Sequence, residues 1–324
     1  MRNDLIIAAL LVVPALFAPM VASPYHLTFL LNLWMMIALA QSWNLISGMT
    51  GYVSFGHAAF FGIGSYAGAI AILAGWPWYL AVVAGAVLAW IVALPLGVLT
   101  LRLRGPYFAI AMLGLNELGR IIATLWVDMT EGGDGIALHP DLLPSLTANY
   151  TLMLILAIIS CGMVAWIYNG RMGLELRAIR EGEDVSEMLG VDTVRNKVIA
   201  FVLSAIVPGA AGVGYAMFTS YIDPASVFAP VLNIQMIVVV LLGGSGTIWG
   251  PVLGAFIVTG LQEVFWAQFP MVHMMLMGTL LIVVILYLPN GILSIIHKRK
   301  RIRPDQITPT SEPAKSAGMQ EVER

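Results

Sequence analysis

The chain has 324 residues, of which 59% are hydrophobic and 10% are charged, with a formal net charge of −2 and a mean hydropathy of +0.88. Soluble globular domains carry about 25% charged residues, so this composition excludes an ordinary soluble domain and indicates an integral membrane protein. The nearly neutral charge gives no support for nucleic-acid binding.

The first apolar run, residues 5–22, follows a single basic residue, Arg2. Val21-Ala22-Ser23 has some likeness to a signal-peptide cleavage site. The run is nearly long enough to span a membrane, however, and further apolar runs follow at once. We therefore expect an uncleaved first span.

Apolar runs of about 20 residues predict membrane-spanning helices, because lipid leaves the backbone no other partner for its polar groups. The alternation with period two that is typical of membrane barrels is absent. The sequence therefore predicts an all-α polytopic membrane protein with about eight to ten transmembrane helices. The candidate spans are 5–22, 27–46, 57–74, 79–100, 106–127, 150–169, 198–219, 231–242, 250–268 and 272–290.

The distribution of Lys and Arg predicts the orientation of these spans. Of 16 basic residues, five lie in 171–197 and seven in 298–324, whereas 128–149 has none. With Arg2 placed inside, the basic loops 101–105 and 171–197 and the carboxyl tail all fall inside, and the acidic loop 128–149 falls outside. We expect both termini to be cytoplasmic and the number of crossings to be even.

Two Gly-rich segments interrupt the pattern of spans, one in each half of the chain. They are SGMTGYVSFG at 47–56 and GGSGTIWG at 243–250. Such interruptions are typical of discontinuous helices at a substrate path, although small residues also serve close helix packing alone. The residues that we place provisionally on a translocation path are Ser54, Phe55, His57, Glu117, Gly243, Gly244 and Gly246.

Ionisable residues inside predicted spans need a partner or a function. Glu117 and Arg120 are spaced i, i+3 and can pair with each other. Glu263 has no basic residue nearby in sequence, and we expect it near the outer interface. His57 follows a Gly, and we interpret it as a hydrogen-bonded residue at a helix start rather than a metal ligand.

A charged segment at 171–197 stands out between apolar spans and predicts a docking element for a soluble partner. Its apolar residues Leu174, Ile179, Met188 and Leu189 suit an anchor, and the surrounding charges suit a polar rim. The residues that we expect to couple the membrane domain to that partner are Glu175, Arg177, Ala178, Ile179, Arg180, Glu181, Leu189 and Gly190.

Several catalytic signatures are missing from the sequence. There is no G-x-x-x-x-G-K-[ST] phosphate loop, no H-E-x-x-H motif and no G-x-S-x-G motif. The one cysteine, Cys161, excludes an internal disulfide. We expect no catalytic residues, metal site or cofactor in this chain. The organisation we expect is a permease domain at 1–297 followed by a disordered cytoplasmic tail at 298–324.

Four long stretches resemble the permeases of branched-chain amino acid ABC importers, in particular the LivM-like branch. They are GMTGYVSFGHAAFFGIGSYAGA (48–69), RLRGPYFAIAMLGLNELGR (102–120), GLELRAIREGEDVSEMLGVDTVRNKVIAFVLSA (173–205) and GGSGTIWGPVLGA (243–255). At Met112 and Pro208 this sequence differs from the residues that are usual at these positions in the family. Relatives carry branched-chain amino acids, urea, short amides or aromatic acids, so the resemblance leaves the solute open.

The resemblance implies an importer in a bacterial inner membrane, with this chain as one of two related permeases. The other would be LivH-like, two cytoplasmic ATPases (LivG- and LivF-like) would hydrolyse ATP, and a periplasmic binding protein would deliver the small solute. The segment 173–190 matches the family's coupling loop. An alternative is an ion-coupled secondary carrier that uses Glu117 or Glu263; it would leave the charged loop without a role. A membrane enzyme is disfavoured by the missing motifs.

Overall fold

The computed structural model describes residues 2–268, 278–279 and 291–292. Residues 2–268 are almost entirely helical, with one short antiparallel strand pair. The α-helices are α1 (Arg2–Val21), α2 (Pro24–Trp43), α3 (His57–Leu73), α4 (Trp78–Thr100), α5 (Pro106–Leu125), α6 (Val127–Thr130), α7 (Leu146–Asn169), α8 (Arg171–Glu181), α9 (Glu183–Met188), α10 (Thr193–Thr219), α11 (Pro224–Val227), α12 (Pro230–Gly243) and α13 (Gly250–Gln268). A π-turn (Asn44–Gly48) extends α2, 3-10 turns lie at Gly132–Asp134 and Pro140–Leu142, and the strands are β1 (Ile136–Ala137) and β2 (Tyr221–Ile222).

Six helical segments of the described chain are long and apolar enough to cross a membrane. They are Pro24–Gly48, Trp78–Thr100, Pro106–Leu125, Leu146–Asn169, Thr193–Thr219 and Pro224–Gly243. Shorter apolar helices occupy Leu11–Val21, His57–Leu73 and Gly250–Val264. The chain is therefore an all-α multi-pass membrane protein, as its composition predicts. The predicted span 272–290 and the tail 298–324 lie outside the described residues, apart from 278–279.

Helices α2 and α10 form the centre of the bundle. The share of buried residues is 83% in the most apolar stretch of α2 and its π-turn and 72% in that of α10, against 28% in α4 and 22% in α5. Helix α10 packs on α3 and α4, and α2 packs on α7. The outer faces of α4 and α5 expose large apolar side chains, which suits contact with lipid or another membrane protein.

Glycines let α3 and α10 approach with their backbones in contact. A Cβ atom on Gly64 would lie 2.0 Å from the carbonyl oxygen of Gly209, and one on Gly212 would lie 2.1 Å from that of Phe61. Membrane helices associate through such small-residue contacts, since lipid offers no hydrophobic driving force between them.

The loops separate into two groups at opposite ends of the bundle, because α5, α7 and α10 each run from one end to the other. At one end Arg104 pairs with Asp184 of α9 at 2.6 Å. At the other end β1 pairs with β2, with Ile136 opposite Ile222. Loops 101–105 and 171–197 thus share an end and loop 128–149 lies at the other, in agreement with the relative placement predicted from charge.

Candidate functional site

Both predicted helix interruptions are present in the structure. Helix α2 continues into the π-turn Asn44–Gly48 and reaches α3 through an irregular segment, and α12 stops at Gly243 before α13 begins at Gly250. Positive φ angles occur at Gly51 (79°), Gly244 (128°) and Gly246 (72°). Side chains disfavour that region of backbone space, which explains why both interruptions are rich in glycine.

The two interruptions contact each other, although they lie about 200 residues apart in sequence. The Asn44 side chain accepts a hydrogen bond from the Gly246 backbone N–H at 2.8 Å and donates one to the Thr247 carbonyl at 2.9 Å. The Gln41 amide donates to the Ile248 carbonyl at 2.6 Å. We call this contact region, residues 44–51 with 243–250, the junction. Both side-chain amides thus bond the second interruption.

Arg180 of α8 joins both sides of the junction. Its Nη1 donates to the Gly48 carbonyl at 2.7 Å, and its Nη2 lies 3.1 Å from the Ser245 hydroxyl. The guanidinium group suits this position because it presents several donors in a rigid fork. One side chain of the charged segment thus holds the ends of two discontinuous helices together.

The charged segment has one face toward the membrane domain and one toward solvent. Leu176 and Ile179 are buried, with Ile179 only 3% exposed. The interpretation of Ile179 as an anchor on the outer surface is therefore wrong: the spacing of three residues places it beside Leu176 on the inner face of α8. Leu174, Met188 and Leu189 are exposed on the solvent side.

The other predicted coupling residues lie around that outer surface. Glu175 pairs with Arg171 at 3.0 Å, and the Arg177 guanidinium lies 4.2 Å from the centre of the Tyr168 ring. Glu181 and Gly190 are exposed, and Ala178 is half-buried. Their role in coupling stays a prediction.

An ion pair between a buried lysine and a largely buried glutamate ties the charged segment to the first interruption. The Lys197 ammonium lies 2.5 Å from the Glu183 carboxylate, and the Tyr52 hydroxyl donates to the same carboxylate. Burial acts to raise the pKa of Glu183, but hydrogen bonds from Lys197 and Tyr52 outweigh it, so that the pKa lies below its usual value.

The ion pair was not predicted from the sequence, because Lys197 lies at the end of a segment whose other charges are mostly exposed. A signal was available in the helical spacing. Lys197 lies four residues before Phe201, which is fully buried, so it falls on the core face of α10.

His57 is the first residue of α3, and Ser54 and Phe55 directly precede it; the place of these three residues on a translocation path stays a prediction. The fully buried His57 ring lies 3.1 Å from the Ser54 hydroxyl and 3.2 Å from that of Ser204. The side chain of Asn233 accepts from the Ala58 N–H at 2.9 Å and donates to the Phe55 carbonyl at 2.7 Å. The interpretation of His57 as a hydrogen-bonded residue at a helix start is confirmed. No group of three potential metal ligands occurs within the described part of the chain.

Glu117 lies apart from the junction. It pairs with Arg120 on its own helix, as the spacing predicts, with the Arg120 Nε 3.0 Å from both carboxylate oxygens. Their side chains are 44% and 39% exposed, on a helix of which most faces outward. Of the predicted path residues, the structure brings together Gly243, Gly244 and Gly246 at the junction, while Ser54, Phe55 and His57 lie at the start of α3.

Two helices of this membrane bundle are interrupted at a common junction and are joined there to a charged helical segment. This is the architecture of a transporter permease subunit. The sequence comparisons agree with that class. Residues 25–285 match the model of a protein family described as the branched-chain amino acid transport system, permease component, and the chain belongs to this family.

Curated relatives match over most of the chain. LivM of Salmonella typhimurium, a high-affinity branched-chain amino acid transport system permease, is 25% identical over 338 aligned positions, which cover 94% of this chain and 78% of LivM. LivH of Escherichia coli is 27% identical over 284 positions, 79% of this chain and 90% of LivH. LsrC of Klebsiella pneumoniae, an autoinducer 2 import permease, is 29% identical over 52% of this chain and 50% of its own. No solved structure matches this chain.

These findings make the chain a membrane component of an ABC transporter and favour that function over an ion-coupled carrier. The names LivM and LivH also describe two permeases of the same high-affinity system.

Proposed function

We propose that this chain is one of two permeases that form the pore of an ATP-driven importer for branched-chain amino acids or a related small polar solute. The second permease is LivH-like. Two cytoplasmic LivG- and LivF-like ATPases hydrolyse the ATP, a reaction this chain does not catalyse, and a periplasmic binding protein delivers the solute. Most of the curated relatives named above support this substrate class.

The observation that carries the proposal is the bond network of Arg180. An importer of this kind must transmit the closure of cytoplasmic ATPases to the membrane path. Helix α8 is held to the membrane domain by Leu176 and Ile179, and Arg180 links it to Gly48 and Ser245. A displacement of α8 therefore acts on both interrupted helices together, which supports alternating access at the junction.

The outer surface of the charged segment is the docking face for an ATPase. Leu174, Met188 and Leu189 are 63%, 84% and 78% exposed, and Glu181 and Asp184 lie among them. Apolar anchors within a polar rim are the usual anatomy of a protein interface.

The proposed location is the inner membrane of a bacterium, with the charged segment and both termini in the cytoplasm. The positive-inside distribution supports this orientation. The Arg104–Asp184 pair supports it further, because it places two basic loops at one end of the bundle.

The proposal is tested by purification of the native complex in mild detergent, followed by reconstitution in liposomes with the binding protein. We expect two ATPases and a second permease to co-purify and uptake of L-leucine to require ATP. A chain that purifies alone and takes up solute on an ion gradient would contradict the proposal and support a secondary carrier.

A further inference from the structure

A polar cavity lies between α2, α12 and α13, away from the junction. Its volume is about 250 Å³, slightly below the range of sites for drug-sized ligands, which suits a small solute. Phe29, Asn32, Met35 and Met36 line it from α2, Gln235 from α12, and Thr259, Gln262 and Glu263 from α13.

The cavity is built from helix faces rather than from a loop. Phe29, Asn32 and Met36 recur at spacings of three and four residues along α2, and Thr259 and Glu263 are four residues apart on α13. Residues at such spacings share one face of a helix. The polar groups therefore point into one space from rigid elements.

One hydroxyl in the cavity has no partner. Thr259 is 93% buried, and its Oγ1 forms no hydrogen bond within the described part of the structure. A buried polar group without a partner costs free energy. A ligand oxygen or nitrogen in the cavity would satisfy it.

The cavity also holds a carboxylate without a protein cation. The Tyr25 hydroxyl donates to Glu263, and among the described residues no Lys or Arg forms an ion pair with it. The sequence from 198 to 297 contains no Lys or Arg at all. Glu263 is half-buried on α13, a short apolar helix of the bundle, where an ionisable group often marks a functional site.

We propose that this cavity binds the ammonium group of a transported amino acid at Glu263, an inference that rests on the proposed import function. The Asn32 and Gln235 amides and the Thr259 hydroxyl are donors suited to the α-carboxylate. Met35, Met36 and Phe29 provide an adaptable apolar wall for an aliphatic side chain. Both α12 and α13 flank the interruption that Arg180 holds, so movement of the charged segment reaches the walls of this site.

The test uses the complete importer in liposomes and compares L-leucine with its 2-hydroxy acid analogue, which lacks the ammonium group. We expect E263Q to raise the KM for L-leucine by about tenfold or more. The variant replaces the hydrogen bond between a carboxylate and the ammonium group by a weaker bond from a neutral amide. The preference for L-leucine over the analogue should shrink by a similar factor. D141N is the matched control, because Asp141 is an exposed carboxylate in loop 128–149, which contains no Lys or Arg. It should leave the KM and the preference for L-leucine unchanged.

A second variant distinguishes a loss of solute binding from a folding defect. T259V keeps the shape of the side chain and removes the unpartnered hydroxyl, so it should preserve co-purification while raising the KM by a smaller factor. Unchanged KM values in both variants, in an importer whose wild type is active, would overturn this inference alone. A wild type without ATP-dependent uptake would overturn the proposed function and this inference with it.

Discussion

The guanidinium of Arg180 lies 2.7 Å from the carbonyl oxygen of Gly48, so that a residue of the charged segment bonds the backbone where α2 is interrupted. We expect R180A to lower ATP-dependent uptake about tenfold or more while ATP hydrolysis continues, because the ATPases would no longer act on the junction. The uptake rate of R180K should lie between those of the wild type and R180A, because a lysine ammonium group keeps the charge but lacks the planar fork of donors. Uptake and hydrolysis are measured together in liposomes.

The control for Arg180 is R171A on the same helix. Arg171 is 93% exposed at its side chain and pairs with Glu175 only at the surface, an interaction worth little. Normal uptake by R180A, or an equal loss in R171A, would exclude a specific role for Arg180 in coupling.

The docking face can be tested with a charge. M188E places a carboxylate at a side chain that is 84% exposed, so the isolated chain should keep its thermal stability. We expect the ATPase to be lost from the purified complex, because an unpaired charge at an apolar anchor is costly to bury. L142E, at the opposite end of the bundle, is the control, and its purified complex should retain the ATPase. Loss of the ATPase from the L142E complex as well would indicate a general defect instead of a disrupted docking face.

The junction makes a prediction for Asn44 and Gly48 together. A Cβ on Gly48 would lie 2.0 Å from the Asn44 side-chain oxygen and 2.9 Å from the Gly246 nitrogen. We expect G48A to lower the Tm of the purified chain by several degrees, and N44A to do so by leaving the Gly246 N–H unpaired.

In the double variant N44A/G48A the closer of the two clashes disappears. Its loss of stability should therefore be smaller than the sum of the single losses, a coupling that a double-mutant cycle measures. Additive losses would show that the two residues do not meet as described.

The buried pair of Lys197 and Glu183 makes a prediction for stability. K197M should lower the free energy of unfolding by about 3 kcal/mol, because it leaves a largely buried carboxylate, 13% exposed, without its cation. K197M/E183Q should be more stable than K197M, since it removes that charge. A double variant less stable than K197M would contradict this account.

The same pair predicts a dependence on pH. Because the pKa of Glu183 in the fold lies below its usual value of 4.5, the folded state favours the carboxylate. Its contribution to stability is present above that value and is lost as the pH falls below it. The Tm of the wild type should therefore decline more steeply than that of E183Q below about pH 4.5.

The close approach of α3 and α10 gives a packing test. G64A forces a methyl group to 2.0 Å from the Gly209 carbonyl, which should cost about 1–3 kcal/mol. G114A on α5 is the matched control, since no atom lies within 4 Å of its Cβ position. Equal Tm values for the two variants would argue against backbone contact between these helices.

The positions of the helices were predictable from sequence because length and apolarity suffice to mark a span. The predicted runs 231–242 and 250–268 coincide closely with α12 (Pro230–Gly243) and α13 (Gly250–Gln268). The strands β1 and β2 were missed, since two residues are too few to show an alternating pattern.

The meeting of the two interruptions was not predictable, although each was recognised from its glycines. It depends on bonds from the Asn44 and Gln41 side chains to backbone groups about 200 residues away, and no periodicity records such pairing. The inward turn of Arg180 was missed for a similar reason. Its charge indicated solvent, whereas its partners are carbonyl and hydroxyl groups without charge.

The long separation between Asn44 and Thr247 also bears on how the chain is made. Asn44 emerges from the ribosome about 200 residues before its partners, so α2 must enter the bilayer with two amides that have no lasting bond. Lipid cannot satisfy them. Until α12 and α13 are inserted, water, a neighbouring helix or the insertion machinery has to satisfy these groups.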